Sequence, residues 1–290
     1  MHVHLRTRSR AIDYAFVNST PDSRWWDAYA DWTATERPCL HAVAEDGEGH
    51  WRVLLSGIPS VRTDSGGRLI YYTLVLEGAH HTAEQDAAIV LSLASCLLAD
   101  LEEDEQGRGV LSDLLDGICP AAEVDRLLAA PTEFAMERKD LTTRLLASVA
   151  ALEPLPHDAL AAGRGRFDRW IAGRSAPGAS VAFLTRLSAL LSGEEHGQAH
   201  LLNLVSEAED VAELFPGRLT VLVEGGKVGD PAMPLERLPE PKAPSGPAPL
   251  GSSGARPKVR WRTPMARTSL AALILLLLLA GVSCIFVVLF

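Results

Sequence analysis

Cysteine is scarce in this chain of 290 residues, which contains only 4 of them. Cys39, Cys96, Cys119 and Cys284 show no paired spacing, so the sequence does not indicate a disulfide framework. We therefore expect free thiols, as in proteins of the cytoplasm.

Motifs for nucleotides and cofactors are also missing. The sequence contains no GxxxxGK[ST] segment, which excludes nucleotide binding by a P-loop. The basic and aromatic segment GRGRFDRW at residues 163–170 lacks the third glycine of a dinucleotide-binding loop and follows no apolar strand. It predicts a turn between helices. We expect no cofactor, and the lack of a catalytic motif favours a protein that is not an enzyme.

Lysine is rare, with 4 residues against 23 arginines, and this bias indicates a bacterial genome rich in G and C. Acidic residues outnumber basic ones over most of the chain. Residues 1–230 hold 20 basic and 35 acidic side chains, a net charge of −15. A surface of this charge disfavours binding to nucleic acid and is repelled by anionic lipid.

The longest hydrophobic run extends from Ser269 to Phe290. These 22 residues carry no charge, and 15 of them are Leu, Ile, Val or Phe. As a helix they would be roughly 33 Å long, enough to cross a hydrocarbon core of about 30 Å. Their apolar side chains favour insertion by roughly 7 kcal/mol. Residues 269–290 are therefore predicted to be a single transmembrane helix.

The segment before this helix, residues 256–268, is basic. Its membrane-interface residues are Arg256, Lys258, Arg260, Trp261, Arg262 and Arg267. Cations stay on the cytoplasmic side and pair with anionic headgroups, and an indole ring favours the headgroup level. With no cation after the helix, the pattern predicts a tail anchor in the inner (cytoplasmic) membrane. The N-terminal region is then in the cytoplasm, and lipid binds the helix and its basic flank.

Residues 231–255 form a stretch rich in proline, glycine and serine. Such a composition cannot bury enough apolar surface to fold, so it predicts a disordered linker. As a coil, this linker would reach about 25–30 Å. We expect it to tether the acidic region at a distance from the membrane.

The acidic region predicts an α+β or α/β fold in three parts: a β-rich part at 1–78, a mainly helical part at 79–174 and an α/β part at 175–230. Together they form one compact unit or two closely packed ones. Two glycine-containing turns predict hairpins in the first part. The strand–helix–strand pattern within 201–226 predicts a parallel pair, a βαβ unit.

Four aromatic residues, Trp25, Trp26, Tyr29 and Trp32, recur at helical spacing and predict an aromatic face that packs into the core. From Thr82, a candidate N-cap, the period of the apolar residues changes to 3.6. Several helices punctuated by Gly and Pro are predicted to follow, the last of them closed by Gly193.

Candidate catalytic residues lie at the end of a predicted strand and before a predicted helix. They are His80 and His81, with Glu77 close by in the sequence. Functional side chains are common at such a position in α/β proteins, although a solvated loop with chance histidines would show the same pattern.

His196 and His200 are candidate metal ligands because, on a helix, residues four apart share one face. Gly197 follows the first histidine, where zincins have glutamate, so a polar loop is the preferred interpretation. The segment TDSGG at residues 63–67 shares a few letters with the serine motif of chymotrypsin-like proteases. It brings no matching histidine motif, and its glycines favour a tight hairpin turn.

Three functions follow from these patterns as hypotheses. The first is a tail-anchored adaptor or regulatory module of a multi-component system, with a protein partner. The second is a membrane-bound enzyme, such as a hydrolase, with a site near His80 and His81. The third is an effector of a stress or phage-defence module that acts on the membrane, which the absence of charged residues in the span disfavours as a pore.

Overall fold

The computed structural model shows a mixed fold of α-helices and β-strands, which confirms the coarse fold class predicted above. The structure describes residues 1–34, 36–44, 49–80, 83–152, 168–215, 217–224, 228–229 and 232–235. These residues all lie within one unit, Met1–Glu240. The predicted basic flank and transmembrane helix lie outside the described residues.

Nine strands form a single sheet in this part of the chain. They are β1 (His2–Thr7), β2 (Ala15–Phe16), β3 (Cys39–Ala44), β4 (His50–Thr63), β5 (Leu69–Ala79), β6 (Arg169–Gly173), β7 (Gly197–Leu202), β8 (Leu219–Val223) and β9 (Met233–Pro234). Their order is β2-β1-β5-β4-β3-β7-β8-β6-β9. The pairs β3–β4 and β4–β5 are antiparallel, which confirms the two predicted hairpins. Strands β7, β8 and β6 are parallel neighbours.

Six α-helices are described. They are α1 (Ala83–Glu103), α2 (Val110–Ile118), α3 (Ala121–Ala129), α4 (Ala135–Ala150), α5 (Ala179–Ser192) and α6 (Ala208–Leu214). Gly193 ends α5 with a φ of +79°, a left-handed conformation that favours glycine, as its position in the sequence predicts. Helix α6 connects β7 to its parallel neighbour β8, which confirms the predicted βαβ unit.

One face of the sheet, here termed the front, packs against α1, α2, α4 and α5. Alternate residues of β4 point into this core because side chains of a strand alternate between faces. Trp51, Val53 and Leu55 are all fully buried there. Burying a large apolar side chain of this kind stabilises the fold by roughly 1.5–3 kcal/mol.

The opposite face, the back, is covered by a 3-10 helix at Trp25–Trp32 and by α6. Tyr29 and Trp32 pack on the parallel strands, while Trp25 and Trp26 pack on the antiparallel strands. The predicted aromatic face therefore exists, but its four rings are only partly buried. They cover the second face of the sheet and do not enter the main core, because that core is filled by the helices in front.

Strand β6 is a correction to the part 79–174, which is predicted to be mainly helical and for which no strand is predicted. Arg169–Gly173 pairs parallel with β8, and Trp170 and Ile171 are buried on opposite faces. The sequence of a parallel strand that is covered on both faces is a continuous apolar run, without alternation of polar and apolar residues. Five such residues cannot be distinguished by period from one turn of a buried helix. Residues 163–167 of the predicted interhelical turn lie outside the described part of the chain.

The start of the predicted linker is also corrected. Met233 and Pro234 pair with β6, and Leu235 is 5% exposed. Proline is compatible with this position because an edge strand needs no donor on its outer side. The folded region therefore extends at least to Leu235.

Candidate functional site

The residues predicted as a site at the end of β5 do not lie together. Residues of β5 alternate between the faces, and Glu77 is on the back, where one carboxylate oxygen lies 3.7 Å from Nε2 of His4. His80 lies on the front side of the same sheet edge, against the last turn of α5. His81 lies outside the described residues.

Glu77 lines a groove of about 410 Å³ at this edge of the sheet. Asp22 and His50 are further lining residues. On neighbouring strands, Glu77 stands directly opposite His2 on one side and Arg52 on the other. The carboxylate of Glu77 therefore lies between two basic residues on the neighbouring strands, and opposite charges at paired positions attract each other.

His80 forms a pair with His196 at the sheet edge. Its Nδ1 lies 3.2 Å from the carbonyl oxygen of Leu191. Because a carbonyl only accepts, this Nδ1 carries a proton, and in the neutral ring the lone pair is on Nε2. That Nε2 is buried without a hydrogen-bond partner among the described residues, and the ring of His196 stands edge-on with its centroid 6.1 Å away. The structure thus places His80, a predicted catalytic residue, next to His196, a predicted metal ligand.

His196 and His200 are not on a helix. His200 lies in β7, and His196 directly precedes that strand. Four residues along a strand span about 13 Å, so the two rings would lie too far apart to bind one metal ion. Within the described ranges, no three His, Cys, Asp or Glu side chains are placed to hold a metal ion.

The partner of His200 is His41, a residue that no local sequence pattern singles out. The two stand directly opposite each other on β7 and β3, and their Nδ1 atoms are 3.1 Å apart. Nε2 of His200 lies 2.9 Å from Oε1 of Gln198, which only accepts. The Nε2 proton of His200 is therefore donated to Gln198, and His41 donates its Nδ1 proton to His200. Only the register of two strands distant in sequence brings this pair together.

Aromatic rings enclose the histidine pair. Tyr29 stacks on His41 at a centroid distance of 4.7 Å, and Phe215 lies 5.0 Å from His200. The hydroxyl of Tyr29 donates to Oε1 of Gln198 at 3.2 Å. Burial lowers the pKa of His41 to about 3 and the pKa of His200 well below its usual value. Both rings are therefore neutral at pH 7, in a hydrogen-bonded chain from Tyr29 to His41.

No protein family, curated protein or solved structure matches this chain. In the described part of the chain, no helix is both long enough and apolar enough to cross a bilayer. The six predicted interface residues at 256–267 lie outside that part.

The segment TDSGG is the turn between β4 and β5. Oδ1 of Asp64 accepts hydrogen bonds from the backbone N–H groups of Gly66 and Arg68 at 2.8 and 3.0 Å. The bond from Arg68 is the main reason that the pKa of Asp64 is lowered. Gly67 has a φ of +77°, which explains the second glycine. The interpretation as a hairpin turn is confirmed.

The described cysteines are free, as expected: Cys39, Cys96 and Cys119. Burial raises the pKa of Cys39 and of Cys119 to about 12. Neither is a thiolate at neutral pH, so neither has the reactivity of a catalytic nucleophile.

A further group of polar residues lies where the three parallel strands end. Asn203 directly follows β7, Glu224 follows β8 and Arg174 follows β6. The backbone ladder continues through them, with Glu224 donating to Leu202 at 2.9 Å and Arg174 donating to Val223 at 3.0 Å. These side chains stand side by side at the carboxyl edge of the parallel strands, a common place for ligand sites in α/β proteins.

Proposed function

We propose that the chain is a membrane-anchored interaction module, in which the mixed α/β region binds a protein partner at the cytoplasmic face of a bacterial inner membrane. The observation that carries this proposal is the 22-residue uncharged segment 269–290 with five cations in the 13 residues before it. An apolar helix of this length favours insertion, and flanking cations favour the cytoplasmic side.

The folded region and the segment 256–290 have opposite charge, which supports a separation between them. Residues 1–230 carry a net charge of −15 and are repelled by anionic headgroups that attract the basic flank. Residues 236–255, after the buried Leu235, remain as the proposed linker, with a coil dimension of about 22–27 Å. The module would thus be held near the membrane without lying on it.

The charge of the folded region also indicates the chemistry of the partner. Acidic surfaces associate fastest with basic ones, and such complexes weaken as salt screens the charges. We propose a protein partner with a basic surface, belonging to the same multi-component system.

The anchor is tested by the triple change Leu275→Arg, Leu277→Arg and Leu279→Arg. Each arginine near the centre of a span costs about 2.5–3.5 kcal/mol, so the triple variant loses the predicted gain on insertion. We expect it in the soluble fraction of lysed cells after carbonate extraction. The matched triple change to alanine should stay in the membrane fraction, and wild-type protein found in the soluble fraction would refute the anchor.

The partner is tested by purification from the source organism in mild detergent, with full-length protein and with a version that ends at Glu240. Ending there keeps Leu235 and β9. We expect one basic protein in near-stoichiometric amount with both versions, released by about 0.5 M salt because the Debye length is then only a few ångströms. Recovery of both versions without any partner would contradict the module.

A membrane-bound hydrolase is the second candidate function, and the geometry of His80 favours it. Its Nδ1 is fixed by the carbonyl of Leu191, which leaves Nε2 as a base next to His196. Hydrolysis of nitrophenyl esters and phosphates would be expected to fall in His80→Gln and to persist in His2→Gln, an exposed histidine in β1. No turnover by the wild type, or equal turnover by both variants, would eliminate this candidate.

A further inference from the structure

The carboxyl edge of the parallel strands contains buried polar atoms that lack partners. The side chain of Glu224 is 7% exposed, and its Oε2 accepts no hydrogen bond from any described residue. Nε of Arg174, on the neighbouring strand, is also buried and donates to no group in the described ranges. A buried polar atom without a partner destabilises a fold, so folded proteins contain few of them.

Asn203, the third residue of this edge, differs from Glu224 and Arg174 because both polar atoms of its side chain have hydrogen-bond partners. Its Oδ1 accepts from the backbone N–H of Ala34 at 2.6 Å, and its Nδ2 lies 3.3 Å from the carbonyl oxygen of Arg37. Asn203 is thus satisfied by the scaffold and fixes the segment before β3. Of these three side chains, the acid and the base each keep an unsatisfied buried atom among the described residues.

Arg37 closes the outer side of this edge. Its guanidinium lies 3.4 Å from Oε1 of Glu224, and its side chain is 61% exposed. A long contact from an exposed side chain is weak, since water and salt screen it. A ligand cation can therefore replace Arg37 next to the carboxylate of Glu224.

The electrostatics favour opposite charges at the two positions. The carboxylate of Glu224 favours a cation: burial raises its pKa, and the nearby Arg37 and Arg174 offset this rise only in part. The guanidinium of Arg174 favours an anion, as does the N-terminus of α5, which begins five residues later at Ala179. Gly178 provides no side-chain cap for that helix.

We propose that this edge binds a small zwitterion of the α-amino acid class, with its ammonium group on Glu224 and its carboxylate on Arg174. A phosphate-bearing ligand would be repelled by Glu224 and Glu105, and a simple cation would offer no acceptor to the buried Nε of Arg174. In an α-amino acid the two charges are adjacent, as are the two strands, which lie about 4.8 Å apart. This site is independent of the membrane anchor.

The test uses full-length protein in detergent micelles. Thermal shift and calorimetry are run with each of the twenty common L-amino acids at about 10 mM, well above a dissociation constant of about 1 mM. We expect at least one amino acid to raise the melting temperature. Its amide and its N-acetyl derivative each lack one charge, and each should bind at least about tenfold more weakly.

The variants Glu224→Gln and Arg174→Gln should each lower affinity for that amino acid by about tenfold or more. Arg218→Gln is the matched control, because Arg218 lies at the opposite end of the strands, beside Asp168 and Glu195. It should bind as the wild type does.

Three outcomes would overturn the proposal. They are no shift with any amino acid, unchanged affinity for the amide and N-acetyl derivatives, and binding of inorganic phosphate that strengthens in Glu224→Gln. The derivatives are tested on wild-type protein, so the proposal stays testable even if a variant does not fold.

Discussion

The front face of the sheet is covered by four helices and aliphatic side chains, whereas the back is covered by a short 3-10 helix, by α6 and by aromatic rings. The front contains the large continuous core. The back contains a buried histidine pair and charged groups such as Glu77. Because side chains alternate along each strand, the same nine strands serve both faces. The difference indicates that the front supplies most of the stability and the back holds polar chemistry that costs stability.

The strongest test of this contrast uses two adjacent leucines of β4. Leu55 is fully buried on the front, and Leu54 is 4% exposed on the back. We expect Leu55→Ala to lower the free energy of unfolding by about 3–5 kcal/mol, because helices surround the cavity and cannot collapse into it. Leu54→Ala should cost about 2 kcal/mol, since the partly buried Trp25 and Trp26 can relax into the space.

Urea unfolding of residues 1–240, followed by circular dichroism, gives both values. The two variants remove the same atoms from neighbouring positions of one strand, so each variant is the control for the other. Equal losses would mean that the two faces contribute alike and that the contrast drawn here is wrong.

Acid should weaken the back face. His41 and His200 have lowered pKa values because burial disfavours their charged forms. The unfolded chain binds protons at these histidines near pH 6.5, whereas the folded chain does not until about pH 3 at His41. Stability is therefore full above pH 6.5 and falls as the pH decreases from there, by up to about 1.4 kcal/mol per pH unit for each histidine.

The double change His41→Leu and His200→Leu replaces both hydrogen-bond partners with apolar groups and should flatten this pH dependence between pH 6.5 and 4.5. His2→Gln, on the exposed end of β1, is the control and should leave the slope as it is. The free energy of unfolding in urea at several pH values is the measurement. If the double variant kept the wild-type slope of unfolding free energy against pH, residues other than His41 and His200 would cause the loss of stability in acid.

A smaller effect concerns two glycines. A methyl group on Gly78 would overlap the ring of the fully buried Trp51, whereas nothing lies within 4 Å of the corresponding position on Gly117 in α2. We expect Gly78→Ala to destabilise by about 1–3 kcal/mol through overpacking of the front core. Gly117→Ala should stabilise by about 0.5–1 kcal/mol, as alanine does in a helix. Melting temperatures that move in the same direction would contradict this account.

The elements that the sequence predicts well are those with long periods or specific turns. Helix α1 repeats its apolar residues over 21 positions, and TDSGG has the residues that a hairpin turn needs. Strand β6 has five residues, four of them buried, and β2 and β9 have two residues each. Segments this short contain no period that a pattern can reveal.

The candidate sites were less predictable because they depend on strand register. Local spacing suggested His196 with His200, but the sheet pairs His200 with His41 and places His196 next to His80. Glu224 and Arg174 are 50 positions apart and become neighbours only because β8 and β6 are parallel. Such contacts are fixed by the order of strands, which no short stretch of sequence contains.

The attachment of β9 determines how the folded region responds to mechanical force. A pull on the chain beyond Leu235 first strains the bond from its N–H to the carbonyl of Arg169, and then the pairs of Pro234 and Met233. These bonds are loaded one after another, so β9 would separate before the rest of the sheet is strained. The outer edge of β6 would then be open to pairing with a strand from another chain. Tension could thus expose a binding edge without unfolding the core.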